Sequence, residues 1–135
     1  MVPEKRDRVI LIDDDTDDNF LHRRLIEKSG LATTIVTKKE ALEALEYLKS
    51  KTDRKIPHPD LIFLDISMPG MNGWEFLDAY CKLDKELQNR SVITILTTSE
   101  DPEHKARALS YNVVADFRTK PLTLEMLEEI ATKYI

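Results

Sequence analysis

The chain has 135 residues, 41% hydrophobic and 33% charged, with a formal net charge of −5. That balance fits one folded domain and argues against disorder, and the scattered lysines and arginines argue against a binder of nucleic-acid backbone. A single cysteine, Cys81, excludes an internal disulfide and a cysteine-based zinc site.

No apolar run approaches the ~20 residues of a membrane span. The start, Met1-Val2-Pro3-Glu4-Lys5-Arg6, lacks the apolar centre of a signal peptide. The expected setting is the cytoplasm, with a protein partner rather than a membrane or nucleic acid.

Val9-Ile10-Leu11-Ile12 is the first of several short apolar runs, which read as strands buried on both faces. A helix follows over roughly Asp17 to Ser29, ended by Gly30 and expected to bury Phe20, Leu21 and Leu25. Thr34-Ile35-Val36 is a weaker strand. Ala41, Ala44, Leu45 and Leu48 then fall on one helical face, with Thr37 and Glu40 spaced as a capping box. Ser50 to Pro59 is polar, carries Pro57 and Pro59, and reads as a loop. Leu61-Ile62-Phe63-Leu64 is the third strand. Asn72 and Glu75 cap a helix whose stripe is Phe76, Tyr80, Leu83 and Leu87. Val92 to Leu96 is the fourth strand, and Asp101-Pro102 reads as N-cap then first helical residue. Val113-Val114-Ala115 is a weak fifth strand, and Leu127, Ile130, Ala131 and Tyr134 form the last stripe.

Strand and helix thus alternate five times, which implies a doubly wound α/β fold: a parallel sheet with helices on both faces and right-handed crossovers. In such sheets ligands bind beyond the carboxyl ends of the strands. Asp13-Asp14-Asp15 follow the first strand and Asp65 the third; Thr97, Thr98 and Ser99 follow the fourth and Lys120 the fifth. Carboxylates crowded at one edge repel one another, and a divalent cation removes the conflict. Hard oxygen ligands suit Mg²⁺, which also shares substrate phosphate oxygens. Phosphoryl transfer needs an aligned nucleophile, a metal and cations on the equatorial oxygens. Asp65 can be the nucleophile, with Lys120 and the Thr97 hydroxyl holding the transferred oxygens.

These residues carry a resemblance. Asp13-Asp14, Asp65, Thr97 and Lys120-Pro121, each after its strand, resemble the receiver domain of two-component response regulators. The segment Leu64-Asp65-Ile66-Ser67-Met68-Pro69-Gly70-Met71-Asn72-Gly73 resembles that family's phosphorylation-site segment. The resemblance covers about residues 8–135, so residues 1–135 are expected to form one receiver domain with no output domain. It implies a flavodoxin-like (βα)5 fold with a five-stranded parallel sheet in the order 2-1-3-4-5. It implies Asp65 as phosphoacceptor, and Mg²⁺ held by Asp14, Asp65, the Ser67 main-chain carbonyl and, through water, Asp13. Thr97 would bind the phosphoryl group, Lys120 would pair with Asp65 or its phosphate, and Thr97 and Phe117 would form the switch. The Lys120-Pro121 bond is usually cis in the family.

The implied function is a signalling switch or phosphorelay intermediate, not a metabolic enzyme. A histidine kinase or phosphotransfer protein would phosphorylate it, a downstream protein would read it, and the chain would be a monomer or weak dimer. Two positions depart from the family pattern: Ser67 stands where Asn is frequent, and Ser99 where an acid or amide is frequent. Phe117 also lacks the hydroxyl of the commoner Tyr.

Other readings stand beside these. Asp13 and Asp15 match the nucleophile and acid of a phosphohydrolase resembling the haloacid-dehalogenase superfamily, although that leaves Asp65 idle. A receiver that binds partners without being phosphorylated is a third reading. Asp17 and Asp18 read as ordinary helix-start acids. His22, His58 and His104 read as exposed, Trp74 and Tyr80 as helix packing, and Cys81 as a small core residue.

Overall fold

A computed structural model describes residues 6–49, 60–68, 70–83, 85–88 and 91–133. The apolar runs form the middle of a sheet built from β1 (Arg6–Ile12), β2 (Ala32–Lys38), β3 (Asp60–Leu64), β4 (Ser91–Thr97) and β5 (Val114–Thr119). All neighbours are parallel, in the order β2-β1-β3-β4-β5. The connections carry α1 (Thr16–Ser29), α2 (Ala41–Lys49), α3 (Gly73–Tyr80), a single turn α4 (Lys85–Gln88), α5 (Pro102–Leu109) and α6 (Leu124–Lys133). The fold and strand order are those implied by the resemblance.

Side chains alternate across a strand, so each central strand feeds two cores. Ile10, Ile12, Ile62, Leu64, Ile93 and Ile95 face one side and pack with Ala44, Leu48, Phe76, Tyr80 and Ala108 from α2, α3 and α5. Val9, Leu11, Leu61, Phe63 and Leu96 face the other and pack with Ile26 of α1 and Leu127, Ile130 and Ala131 of α6. Burying a Leu, Ile or Phe side chain contributes about 1.5–3 kcal/mol. These layers therefore hold the strand ends, and whatever follows them, in fixed register.

Several helix ends are local chemistry. Asn72 Oδ1 accepts from the Glu75 N–H (2.9 Å) and Glu75 Oε1 accepts from the Asn72 N–H (3.0 Å), a complete capping box. Asp101 caps α5 ahead of Pro102, and Gly30 closes α1 at φ 68°.

Other expectations are corrected. α1 buries Asn19, His22 and Ile26, while Phe20 and Leu21 are 59% and 61% exposed and Leu25 is half-buried. The phase is set by Asp15, whose carboxylate accepts from the Asp17 and Asp18 N–H groups. Positions 19, 22 and 26 share one face, and two of them are polar, which hides that face from a hydrophobic pattern. Thr37 cannot cap α2, because it continues β2 opposite Leu11. The α3 helix ends at Tyr80, where the Lys82 and Leu83 N–H groups reach back three residues, to Ala79 and Tyr80, and tighten the turn, while Leu83 still packs against the same core as Phe76 and Tyr80. Gln88 Nε2 then donates to the Cys81 and Leu83 carbonyls (3.2 and 2.6 Å). Cys81 is exposed just past the helix end, not in the core. Trp74 and Tyr80 do pack as expected: Tyr80 is buried in the core, and Trp74 lies half-buried against it and stacks on Tyr111. β5 extends to Thr119 on the sheet's edge, and three of its six residues, Asp116, Arg118 and Thr119, are polar, so only its first residues read as a strand. The Ser50–Pro59 loop, His58 and Tyr134 lie outside the described residues, as does the side chain of Leu87.

Candidate functional site

Main-chain bonds carry the strand ladders one step past their ends. The Asp13 N–H donates to the Lys38 carbonyl (3.0 Å), the Asp65 N–H to Ile12 (3.0 Å) and the Lys120 N–H to Thr97 (2.7 Å). Asp13, Asp65, Thr97 and Lys120 are thereby set side by side at the carboxyl edge of the sheet. The Lys120-Pro121 bond is cis, as the resemblance implies.

Asp13 and Asp65 are 5% and 7% exposed, whereas Asp14 is exposed. Each buried carboxylate has divided duties. Asp13 Oδ1 accepts from the Asp15 N–H (3.0 Å), and Asp65 Oδ1 from the Ser67 N–H (3.1 Å). Their Oδ2 atoms face Lys120 Nζ, at 2.6 Å for Asp13 and 3.3 Å for Asp65. Oxygens of Asp13, Asp14 and Asp65 all lie within 4.8 Å of one another. An exposed acid beside two buried ones suits a hard divalent cation that keeps part of its water.

The electrostatics fit that need. Burial, helped by the Asp65 charge, raises the Asp13 carboxyl to about 6, against the pull of Lys120 and the Asp15 N–H. Burial also penalises the Lys120 ammonium, but its bonds to Asp13 and Asp18 and the Asp65 charge outweigh this and raise its pKa.

Thr97 is fully buried, and its Oγ1 accepts from the Ser99 N–H (3.4 Å). Ser67 is exposed. Phe117 is buried within the core on the α2, α3 and α5 side. Asp18 is a residue the sequence reading missed: its Oδ2 lies 2.7 Å from Lys120 Nζ. The available signal was its place one turn after Asp14, but the lysine it meets lies 102 residues further on. Asp15 serves as the α1 cap, its Oδ1 accepting from the Asp17 and Asp18 N–H groups as a helix-start acid does.

His22 is buried rather than exposed, and its Nε2 accepts from the Leu122 N–H (3.4 Å), which joins α1 to the Lys120 loop. That bond requires a neutral imidazole. Burial, joined by Lys120 and opposed by the Asp18 and Asp15 charges, holds His22 below the ordinary value of 6.5. Below that pH the unfolded chain takes up a proton that the folded chain resists, so the His22 contribution is complete above 6.5 and lost as pH falls towards the folded value. Each unit of depression is worth about 1.4 kcal/mol. Between pH 7 and 5, unfolding free energy is expected to fall more steeply in the wild type than in His22→Gln, as urea titrations can measure. Equal slopes would remove His22 as a source of acid sensitivity. Asp13 acts with the opposite sign in both proteins and cancels from the comparison.

His104 is half-buried, with Nδ1 2.6 Å from Ser99 Oγ. Among the described residues no helix is long and apolar enough to cross a membrane.

A doubly wound parallel sheet with an acidic, lysine-bearing pocket at its carboxyl edge defines a class of phosphoryl-handling α/β domains. The family model described as "Response regulator receiver domain" matches residues 9–132, and the chain belongs to that family. It is a phosphorylation-dependent signalling module of two-component systems. A two-component response regulator from Cytophaga hutchinsonii has a similar structure, with a TM-score of 0.87 at 32% identity over 97% of this chain and 98% of that one. Among curated proteins, it is 29% identical to the probable C4-dicarboxylate response regulator DctR of Halalkalibacterium halodurans, covering 99% of this chain and 54% of the relative. It is 35% identical to a protein-glutamate methylesterase/protein-glutamine glutaminase of Burkholderia thailandensis, covering 84% of this chain and 29% of the relative. The chain therefore spans about half or less of these two relatives. None of these likenesses supports the haloacid-dehalogenase alternative.

Proposed function

We propose that Asp65 accepts a phosphoryl group from a phosphohistidine of a kinase or phosphotransfer protein, and that residues 1–135 work as one receiver unit in the cytoplasm. The observation that carries this reading is the setting of Asp65: it lies just past β3, one oxygen tied to the Ser67 N–H and the other facing Lys120, beside two further acids.

An Asp65 oxygen attacks phosphorus, the O–P bond forms, the P–N bond of the donor breaks, and its electron pair leaves with the imidazole. Lys120 and the Thr97 hydroxyl stabilise charge on the transferred oxygens. Asp13, Asp14 and Asp65, with the main-chain carbonyl of Ser67, would hold Mg²⁺, which when bound neutralises charge on the site's acids and the phosphoryl oxygens. The Asp13 Oδ1 bond to the Asp15 N–H and the Asp65 Oδ1 bond to the Ser67 N–H keep both carboxylates oriented before any donor arrives.

Thr97 moving towards the phosphoryl group, with Phe117 as the aromatic partner, would reshape the surface of α5, β5 and α6. A downstream protein that reads this surface, or a relay to a second phosphotransfer protein, is the output. The unit acts as a monomer or weak dimer and not as a metabolic enzyme.

Intact-mass measurement after incubation with acetyl phosphate and Mg²⁺ should show one added phosphate, and none with EDTA. Borohydride trapping of the acyl phosphate should then mark Asp65. No adduct, or a mark on another residue, would overturn the assignment.

A further inference from the structure

Three carboxylates surround the Lys120 ammonium, and the intended phosphoryl partner is the most distant of them. Nζ lies 2.6 Å from Asp13, 2.7 Å from Asp18 and 3.3 Å from Asp65. Asp18 differs from the other two, since it is not among the acids whose oxygens cluster for a cation. A cation held by Asp13, Asp14 and Asp65 would share the charge of Asp13 and Asp65, whereas Asp18 would keep its whole charge for the lysine. The position of Asp18 is built in: its N–H donates to the capping Asp15 Oδ1 (3.2 Å), in the first turn of α1 where a carboxylate is favoured. Its side chain is 31% exposed, so it also presents negative charge at the mouth of the site.

We propose that Asp18 is a positioning residue that detains Lys120 and thereby slows phosphoryl transfer to Asp65. It competes with the phosphoryl oxygens for the ammonium and repels an anionic donor on approach. The inference rests on Asp65 being the acceptor. In the test reaction an Asp65 oxygen bonds to phosphorus, the P–O bond of acetyl phosphate breaks, and the electron pair leaves with acetate.

The experiment compares wild type, Asp18→Asn and Asp18→Glu at saturating Mg²⁺, with melting temperatures recorded for each. Removing one partly screened charge should raise the second-order rate constant with acetyl phosphate about three- to tenfold in Asp18→Asn. Asp18→Glu, which keeps the charge, should stay within about twofold of wild type. Phosphoramidate, a less negative donor, should show a smaller gain, and a merely structural role for Asp18 would not produce that dependence on donor charge. An Asp18→Asn rate equal to or below that of the wild type overturns the inference, as does Asp18→Glu behaving like Asp18→Asn. If the wild type takes no phosphate on Asp65, the acceptor assignment itself fails, and the role of Asp18 fails with it.

Discussion

Lys120→Met is expected to lower the rate of phosphorylation of Asp65 by about a hundred- to a thousandfold, and to do so even at saturating Mg²⁺. The magnitude is that of removing one preorganised donor aimed at charge that develops in the transition state, about 2.7–4 kcal/mol. Methionine keeps much of the stem's volume, so the loss isolates the ammonium. The same change removes the shared counter-ion of Asp13, Asp18 and Asp65, which Lys120 contacts at 2.6, 2.7 and 3.3 Å. Breaking a fully buried pair costs about 3–5 kcal/mol, but this edge opens to solvent through Asp14 and Asp18, so about 2 kcal/mol is expected at pH 7 without metal. Asp13 gives that loss a sign with pH. Its folded value, about 6, lies above the ordinary 3.8, so between those values the folded state holds more protons and gains stability as pH falls. Without the Lys120 hydrogen bond, Asp13 rises further, and the deficit should shrink from pH 7 to pH 5. Mg²⁺ should restore much of the melting temperature, because binding only to the folded state stabilises it, while the rate stays low. A variant that is phosphorylated at the native rate would remove Lys120 from the chemistry.

Legibility in the sequence followed burial. β1, β3 and β4 are covered on both faces, so their central apolar runs announce themselves; β5 lies at the sheet's edge, and Asp116, Arg118 and Thr119 disguise it. Caps were readable where one side chain served a neighbouring N–H, as at Asn72 and Asp101. Thr37 had the right spacing but lay in β2, because pairing with β1 outweighed the local signal. Asp13, Asp14, Asp65 and Lys120 could be placed together because strand ends in a parallel sheet share an edge. Asp18 and His22 could not, since each lies on α1 and its partner, Lys120 or Leu122, comes about a hundred residues later through the fold. The burial of His22 was further hidden because α1 spends much of its inward face on polar groups: Asn19 Nδ2 donates to the Asp13 carbonyl (2.8 Å), and His22 accepts from Leu122.

Gly73→Ala is expected to be the most damaging of the chain's three glycine-to-alanine changes. A Cβ at this position would lie 2.5 Å from Ile66 Cα and 2.8 Å from the Asp65 carbonyl oxygen, both main-chain atoms that no rotamer change can move. The Gly73 N–H also donates to the Ile66 carbonyl (3.1 Å), so the start of α3 is fastened to the loop that carries Asp65. Forcing these segments apart strains a buried region between β3 and the capping box of α3. Overpacking of this kind costs about 1–3 kcal/mol where side chains can yield, and backbone contact places it at or above the upper end. Gly70 supplies the control. It has φ +70°, but a methyl group added there would meet nothing within 4 Å, so Gly70→Ala should cost about 1 kcal/mol, from backbone conformation alone. Denaturant titrations of the two variants should therefore differ by about 2 kcal/mol. The phosphorylation rate of the folded fraction should fall only in Gly73→Ala, because only there is the Asp65 main chain displaced. A Gly73→Ala protein no less stable than Gly70→Ala would show that the acceptor loop and α3 are free to part, and that the orientation of Asp65 does not depend on their contact.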